Sequence, residues 1–222
     1  GTFTAGQNSK IDATGKFITH KFAFLGRTFN YTYNTPQSAG LVEIYAAGNT
    51  VNGNGLAQGD EWGFHGDPSG VLSVPVRLFA NATGNVHHGD GCVGSFGNWP
   101  VLGSREVPNI GNGNFGYEVH GAPTGAPGVM FVGANPAFAV PLDLIGIPGC
   151  TLRVQSAINI SLLTSAGGSS QRGDGTAALA FPLPNLASLQ GATLQMQVAM
   201  LDIFNGRPLP ITLTNAIATT IQ

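Results

Sequence analysis

The chain has 222 residues, enough for one large or two small domains, since domains usually hold about 100–150 residues and all-β ones often more. Only 9% of the residues are charged and the formal net charge is −2, so Gly, Asn, Ser and Thr must make the surface polar. Binding to nucleic acid or anionic lipid requires clustered Lys and Arg, and we expect neither partner. So weak a surface charge favours self-association.

The expected location of the chain is extracellular or at a cell surface. The sequence starts at Gly1 without a methionine or an apolar signal core, as a mature secreted product would. No stretch approaches the roughly 18 uninterrupted apolar residues of a membrane-spanning helix, so we expect no membrane insertion. Cys92 and Cys150 lack CxxC spacing, and outside the cell such a pair favours a disulfide over two buried free thiols.

Apolar and polar residues alternate along most of the chain, which is typical of strands with one buried face. The alternation places Phe29, Tyr31 and Tyr33 on one face, and it recurs in residues 193–200 and near the C-terminus at 211–217. Other predicted strands, in chain order, are 17–25, 41–46, 71–79, 128–132, 150–156, 158–164 and 176–183. Turns rich in Gly and Asn separate them, at 49–55 and 109–116 for example. The pattern predicts an all-β fold of antiparallel β-sandwich type, jelly-roll or immunoglobulin-like.

Part of the sequence pattern occurs twice. Residues 29–33, followed by an apolar strand, resemble residues 115–119, and Gly66-Asp67 resembles Gly173-Asp174. We therefore predict two tandem, duplicated β-sandwich units, 1–88 and 89–222, in which Phe29 superimposes on Phe115. The alternative is coincidence, because a Gly-rich composition inflates self-similarity.

From residue 89 onward, six segments form a recognisable pattern: 91–95 (GCVGS), 141–152 (PLDLIGIPGCTL), 181–185 (FPLPN), 189–197 (LQGATLQMQ), 201–202 (LD) and 213–216 (LTNA). In these segments the chain resembles a C-terminal module that recurs in secreted, mostly uncharacterised proteins of planctomycetes and some myxobacteria. The resemblance implies a surface or sorting appendage that contains a disulfide and brings no catalytic residues. It leaves residues 1–88 unassigned.

The sequence contains no recognisable catalytic motif. No serine lies in a Gly-x-Ser-x-Gly elbow, and oxidised cysteines would offer no thiolate. Asp143, between Leu142 and Leu144, is predicted to cap the turn that leads to Pro148-Gly149 rather than to act in catalysis. We therefore expect that the chain is not an enzyme, with a secreted hydrolase of unfamiliar type as the most distant alternative.

Two loops gather metal-ligating side chains, namely His87, His88 and Asp90 in one, and Asp60, Glu61, His65 and Asp67 in the other. Neither matches a zinc spacing or a calcium loop, so the favoured interpretation is that both are solvated and hold no cofactor. If an ion binds, calcium at Asp60, Glu61 and Asp67 is the predicted site.

Trp62 and Trp99 both lie in Gly-rich segments, where exposed rings would serve as stacking platforms for a polysaccharide. The favoured alternative is that both rings cover edges of the core.

The composition, the repeated β-pattern and the missing chemistry favour an extracellular structural or adhesive protein, such as the self-associating subunit of a fibre or coat. A carbohydrate-binding module is the second hypothesis. The first unit lacks the closing strands that the second has at 192–203 and 210–221, so residues 17–25 or a neighbouring copy would complete it. Completion by a neighbouring copy would give a head-to-tail filament.

Overall fold

The structure is a computed structural model that describes residues 1–15, 17–21, 30–34, 40–45, 47–50, 58, 61–64, 76–80, 82–166 and 173–222. For His20, 48–50, 61–64 and Val76 only the backbone is described. The chain forms two compact units, Gly1–Ala39 and Gly40–Gln222. This division follows packing, whereas the predicted division after residue 88 follows sequence similarity and stays a prediction.

The first of these two compact units, Gly1–Ala39, contains two pairs of short antiparallel strands. Strand β1 (Thr2–Ala5) pairs with β4 (Tyr31–Asn34), and β2 (Ser9–Ile11) pairs with β3 (Ile18–His20). The ring of Phe3 lies 5.7 Å from that of Tyr31 and 5.1 Å from that of Tyr33, so the two tyrosines share a face as the alternation predicts. Phe29 lies outside the described residues, and its predicted superposition on Phe115 stays a prediction.

The described strands of the second unit are β5 (Gly40–Ile44), β6 (Ala47–Thr50), β7 (Glu61–Phe64), β8 (Val76–Ala80), β9 (Asn85–His88), β10 (Val101–Ser104), β11 (Gly116–Ala122), β12 (Pro127–Gly133), β13 (Val140–Pro141), β14 (Thr151–Leu152), β15 (Ile158–Leu163), β16 (Gly175–Ala180), β17 (Thr193–Leu201), β18 (Ile211–Leu213) and β19 (Ala216–Thr220). Two single-turn 3-10 helices, Asp143–Ile145 and Ala187–Leu189, complete the elements. The strand pairs among the described residues are all antiparallel. The predicted all-β fold is confirmed.

Two sheets of the second unit enclose the main core. One has three strands in the order β10-β11-β16, and the other has the order β15-β12-β17-β19-β9, with β18 beside β17. Their facing side chains form one buried cluster that includes Leu102, Phe115, Tyr117, Val119, Met130, Val132, Leu179, Met196, Val198, Met200 and Ile217. The predicted alternation in residues 193–200 supplies the β17 members of this cluster. This is the sheet-on-sheet packing of a β-sandwich.

Strand β9 lies before residue 89 but belongs to the six-stranded sheet, where it pairs with β19. Two consecutive hydrogen bonds attach this edge strand to the core. The buried Tyr117 hydroxyl donates to Thr219 Oγ1 at 2.8 Å, and Thr219 Oγ1 donates to Asn85 Oδ1 at 2.6 Å. Burial raises the pKa of Tyr117 well above its usual range, so this hydroxyl stays a donor at physiological pH.

The other face of the six-stranded sheet is also covered, which the alternation does not predict. Gln195 and Gln197 occupy the polar positions of β17, and both are buried. A second apolar cluster lies on this face and consists of Cys92, Leu142, Ile147, Cys150 and Leu213, with Ala199 packed against it. Strand β17 is therefore buried on both faces rather than half-buried.

Candidate functional site

The predicted disulfide between Cys92 and Cys150 is present, with a Cα–Cα distance of 5.0 Å. Cys92 is fixed to β18, because its N–H donates to the carbonyl of Leu213 at 2.9 Å and its carbonyl accepts from Thr212 Oγ1 at 2.8 Å. The bond therefore ties residues 140–152, which we call the flap, to the outer face of the six-stranded sheet. Its role is structural.

The flap is closed on itself by Asp143. The N–H of Gly149 donates to Asp143 Oδ1 at 3.0 Å, which is the turn-capping contact that the sequence predicts. The carboxylate is exposed, whereas Leu142 beside it is buried in the second apolar cluster. Leu144, on the other side, is 99% exposed. This geometry supports a capping role for Asp143.

Gln197 attaches the flap to β17. Its side-chain amide donates to the carbonyls of Thr151 at 3.1 Å and Thr214 at 2.9 Å, and its Oε1 accepts from the N–H of Arg153 at 2.8 Å. A buried amide with three partners is satisfied without water. Sequence reasoning placed Gln197 on the solvent side and missed this contact.

Asp202 connects another two segments of the predicted module pattern. The carboxylate is 1% exposed. It accepts a hydrogen bond from the N–H of Ser95 at 2.8 Å and a second, short one from the Ser95 hydroxyl. These two hydrogen bonds have a structural role, because they hold the loop after Cys92 against the end of β17.

Trp99 lies in the loop that precedes β10, and its side chain is 49% exposed. The neighbouring Asn98 is buried and donates from its amide to the carbonyl of Gly121. A Cβ atom on Gly94 or Gly173 would come within 3.1 or 3.0 Å of Asn98 Oδ1, so these glycines leave the space that the asparagine fills. Asn98 thus anchors the loop that presents Trp99. The backbone of Trp62 lies in β7, and its side chain is outside the described residues.

The metal-site hypothesis is not tested by the structure. Asp60, Asp67 and the side chain of Glu61 lie outside the described residues, so the calcium site stays a prediction. His87 and His88 are neighbours on β9, and the described part of the chain holds no group of three or more His, Cys, Asp or Glu side chains that could bind a metal. His88 Nε2 lies 2.6 Å from Gln195 Oε1. Burial lowers the pKa of His87, a hydrogen bond with the Leu102 backbone opposes the shift, and the charge of His88 adds to it.

A buried ion-pair cluster around Arg77 was also missed by sequence reasoning. Arg77 on β8 faces Glu43 on β5, and Arg77 Nε lies 3.0 Å from Glu43 Oε1. The guanidinium also donates to Asp174 and, at 3.4 Å, to the carbonyl of Gly173. In the sequence, the Gly173-Asp174 dipeptide indicates a repeat and not an ion-pair partner. Burial, followed by the charge of Glu43, raises the pKa of the nearby Tyr45.

Strand β15 ends the six-stranded sheet and pairs with β12 along one side. The N–H of Thr164 donates to the carbonyl of Ala126, so alternate residues direct their backbone groups to β12 and the others direct theirs outward. Ser165 belongs to the outward set, because its N–H and carbonyl both bond to Thr176. By the same alternation the backbone groups of Asn159, Ser161 and Leu163 point outward. They have no backbone partner among the described residues.

The outward side of β15 carries no charge. Residues 158–163 read INISLL, and the end residues Ile158 and Leu163 are 59% and 68% exposed. Natural sheet edges are usually protected from other strands by charges, Pro, bulges or a covering element. Within the described part of the chain, β15 has none of these except Thr176 at Ser165. Among the described residues, this edge of the six-stranded sheet is therefore unpaired from Asn159 to Leu163.

The described part of the chain contains no helix that is long and apolar enough to cross a membrane. No protein family, curated protein or solved structure matches the sequence or the fold at a significant level.

Proposed function

We propose that the chain is an extracellular structural or adhesive protein that self-associates, as the subunit of a fibre or coat. The observation that carries this proposal is the open, uncharged edge of β15, with exposed Ile158 and Leu163 at its ends. An edge of this kind pairs with another strand by main-chain hydrogen bonds, which need no ligand chemistry.

Two further observations support the proposal. Charged residues make up only 9% of the chain, so little electrostatic repulsion opposes contact between copies. The buried Cys92–Cys150 disulfide suits an oxidising, extracellular compartment. The proposal assigns no catalytic role, and turnover of a polymeric substrate by the purified chain would contradict it.

The direct test is the state of association of the purified chain over a concentration series, measured by multi-angle light scattering, with electron microscopy of native material. We expect the mean mass to rise with concentration and ordered assemblies to be visible. A mass equal to one chain at every concentration, with no assemblies in native material, would reject the proposal.

Carbohydrate binding is the second candidate, and the exposure of Trp99 favours it. The rings of Phe96 and Phe204 pack together at 6.1 Å, and Phe204 is also exposed. A glycan array is the appropriate test, with Trp99→Ala compared with Leu186→Ala, which removes an exposed apolar side chain from a different loop. Binding that weakens only in Trp99→Ala would support this candidate, and no binding by the native chain would reject it.

A further inference from the structure

We propose that two copies of this chain pair through β15, antiparallel, about a two-fold axis at Ser161, so that their six-stranded sheets become continuous. This inference rests on the proposed self-association and assigns its surface. The partner is therefore a second copy of the same strand rather than a foreign peptide.

The positions of the free backbone groups set the register. The outward-directed residues are Asn159, Ser161 and Leu163, and they are symmetric about Ser161. When Ser161 faces its own copy, Asn159 of each strand faces Leu163 of the other. Residues that face each other in this way exchange both N–H···O=C bonds. A shift of the register by two residues would leave at least one of the outward residues without a partner.

Thr176 limits the length of the pairing. It occupies the outward backbone groups of Ser165, with N···O distances of 2.8 and 3.0 Å. A partner strand therefore cannot continue past Leu163 on that side. The available edge is the five residues 159–163, and its centre is Ser161.

The side chains on both faces suit a contact between copies. Ile160 and Leu162 are partly buried against the main core, and in this register they lie opposite each other across the joint. Such non-hydrogen-bonded pairs approach most closely, at about 4.5 Å between Cα atoms, so the two cores would become continuous. On the other face the exposed Leu163 would cover Asn159 of the partner. No charge on either strand opposes the contact.

Charge substitution at the centre tests the interface and its register together. Ser161 is exposed, so Ser161→Lys and Ser161→Glu should leave the fold intact, which circular dichroism would check. In the proposed register each variant places two like charges opposite each other, which is destabilising. We expect each variant alone to dimerise at least tenfold more weakly than the native chain in sedimentation equilibrium. An equimolar mixture of the two should form a heterodimer. Ser188→Lys, which adds the same charge to an exposed position in another element, should leave association unchanged.

A proline substitution tests the role of the backbone. The N–H of Ser161 points outward, so Ser161→Pro removes no hydrogen bond to β12 but removes one from the proposed interface. Ser161→Ala keeps this N–H. We expect Ser161→Pro to weaken dimerisation and Ser161→Ala to leave it close to native.

The outcomes separate this inference from the proposed function. A native chain that associates while the Lys, Glu and Pro variants associate equally well would overturn pairing through β15 and leave self-association standing. Monomeric Lys and Glu variants whose mixture also stays monomeric would overturn the register at Ser161. A native chain that is monomeric throughout would overturn both proposals. Because a two-fold contact closes as a dimer, a fibre needs a second contact elsewhere.

Discussion

Arg77 and Asp174, 97 positions apart, form an ion pair whose side chains are only 5% and 12% exposed. Arg77 belongs to β8, which pairs with β5, and Asp174 directly precedes β16 of the three-stranded sheet. Glu43 contacts the same guanidinium from β5. The pair thus attaches the β5–β8 ribbon to the sandwich.

Replacement of Arg77 by Met should destabilise the chain strongly. The substitution removes the cation from a buried carboxylate, a change that typically costs roughly 3–5 kcal/mol in the free energy of unfolding. Urea denaturation monitored by fluorescence would measure it. Arg105→Met is the matched control, because Arg105 lies 3.8 Å from Glu118 at a partly exposed position, where a pair contributes about 0–1 kcal/mol. Equal losses in the two variants would contradict this account of Arg77.

Removal of the disulfide in a Cys92→Ala/Cys150→Ala variant should lower the free energy of unfolding by about 2–5 kcal/mol, as is typical of secreted domains. The flap should loosen first, because the disulfide is its covalent link to Cys92, which is hydrogen-bonded to β18. Hydrogen exchange at the N–H of Leu142 and Gly149, both bonded within the flap, would report this loosening. Unchanged protection at both amides would show that Gln197 and the apolar cluster suffice to hold the flap.

Gln197→Met should destabilise the chain although it keeps the size of the side chain. It leaves the N–H of Arg153 and the carbonyl of Thr214 without their partner, and an unsatisfied buried group costs about 1–3 kcal/mol. The control is Gln190→Met at an exposed position, which should change stability by less than about 0.5 kcal/mol. Thermal or chemical denaturation would compare the two. A Gln197→Met variant as stable as the native chain would show that water takes over the hydrogen bonds of the Gln197 amide.

His87 should make the stability of the fold sensitive to mild acid. Because burial holds its pKa below the ordinary value of 6.5, the neutral form is favoured in the folded state. The free energy of unfolding is therefore highest above pH 6.5. It falls as the pH drops toward the lowered folded-state pKa, because in that range the unfolded chain binds the proton and the folded chain does not. The slope contributed by one proton cannot exceed about 1.4 kcal/mol per pH unit. Denaturation of the native protein and of His87→Gln should be measured between pH 7.5 and 5. The free energy of unfolding should fall less over this range in the variant. Equal slopes of this free energy against pH would assign the effect to other groups.

The sequence predicts the strands better than it predicts what covers them. Alternation in residues 193–200 identified Leu194, Met196, Val198 and Met200 as one apolar face, and these residues line the sandwich core. It placed Gln197 in solvent because a period of two cannot show that a distant segment folds over the polar face. That cover depends on the Cys92–Cys150 link and on hydrogen bonds between residues more than 40 positions apart.

The same limit applies to the candidate site. Leu142 and Leu144 flank Asp143 and are equally apolar, yet Leu142 is buried and Leu144 is 99% exposed. The open edge of β15 depends on which strand ends the sheet, and sheet order is a property of the whole topology rather than of local pattern. Residues 158–164 were predicted as a strand, without any indication that they form an edge.

The pairing of strand β9 with β19 limits the order in which the chain can fold. Its hydrogen-bonding partner Thr219 is 134 residues away from Asn85. During synthesis, residues 85–88 therefore leave the ribosome long before residues 216–219, and the six-stranded sheet cannot close in the interval. Strand pairs that are so far apart in sequence form slowly, because the entropy cost of closing a large loop comes before any stabilising contact forms. The unpaired strand, with Val86 exposed, is during that time a contact point for chaperones and a site where nascent chains can mispair.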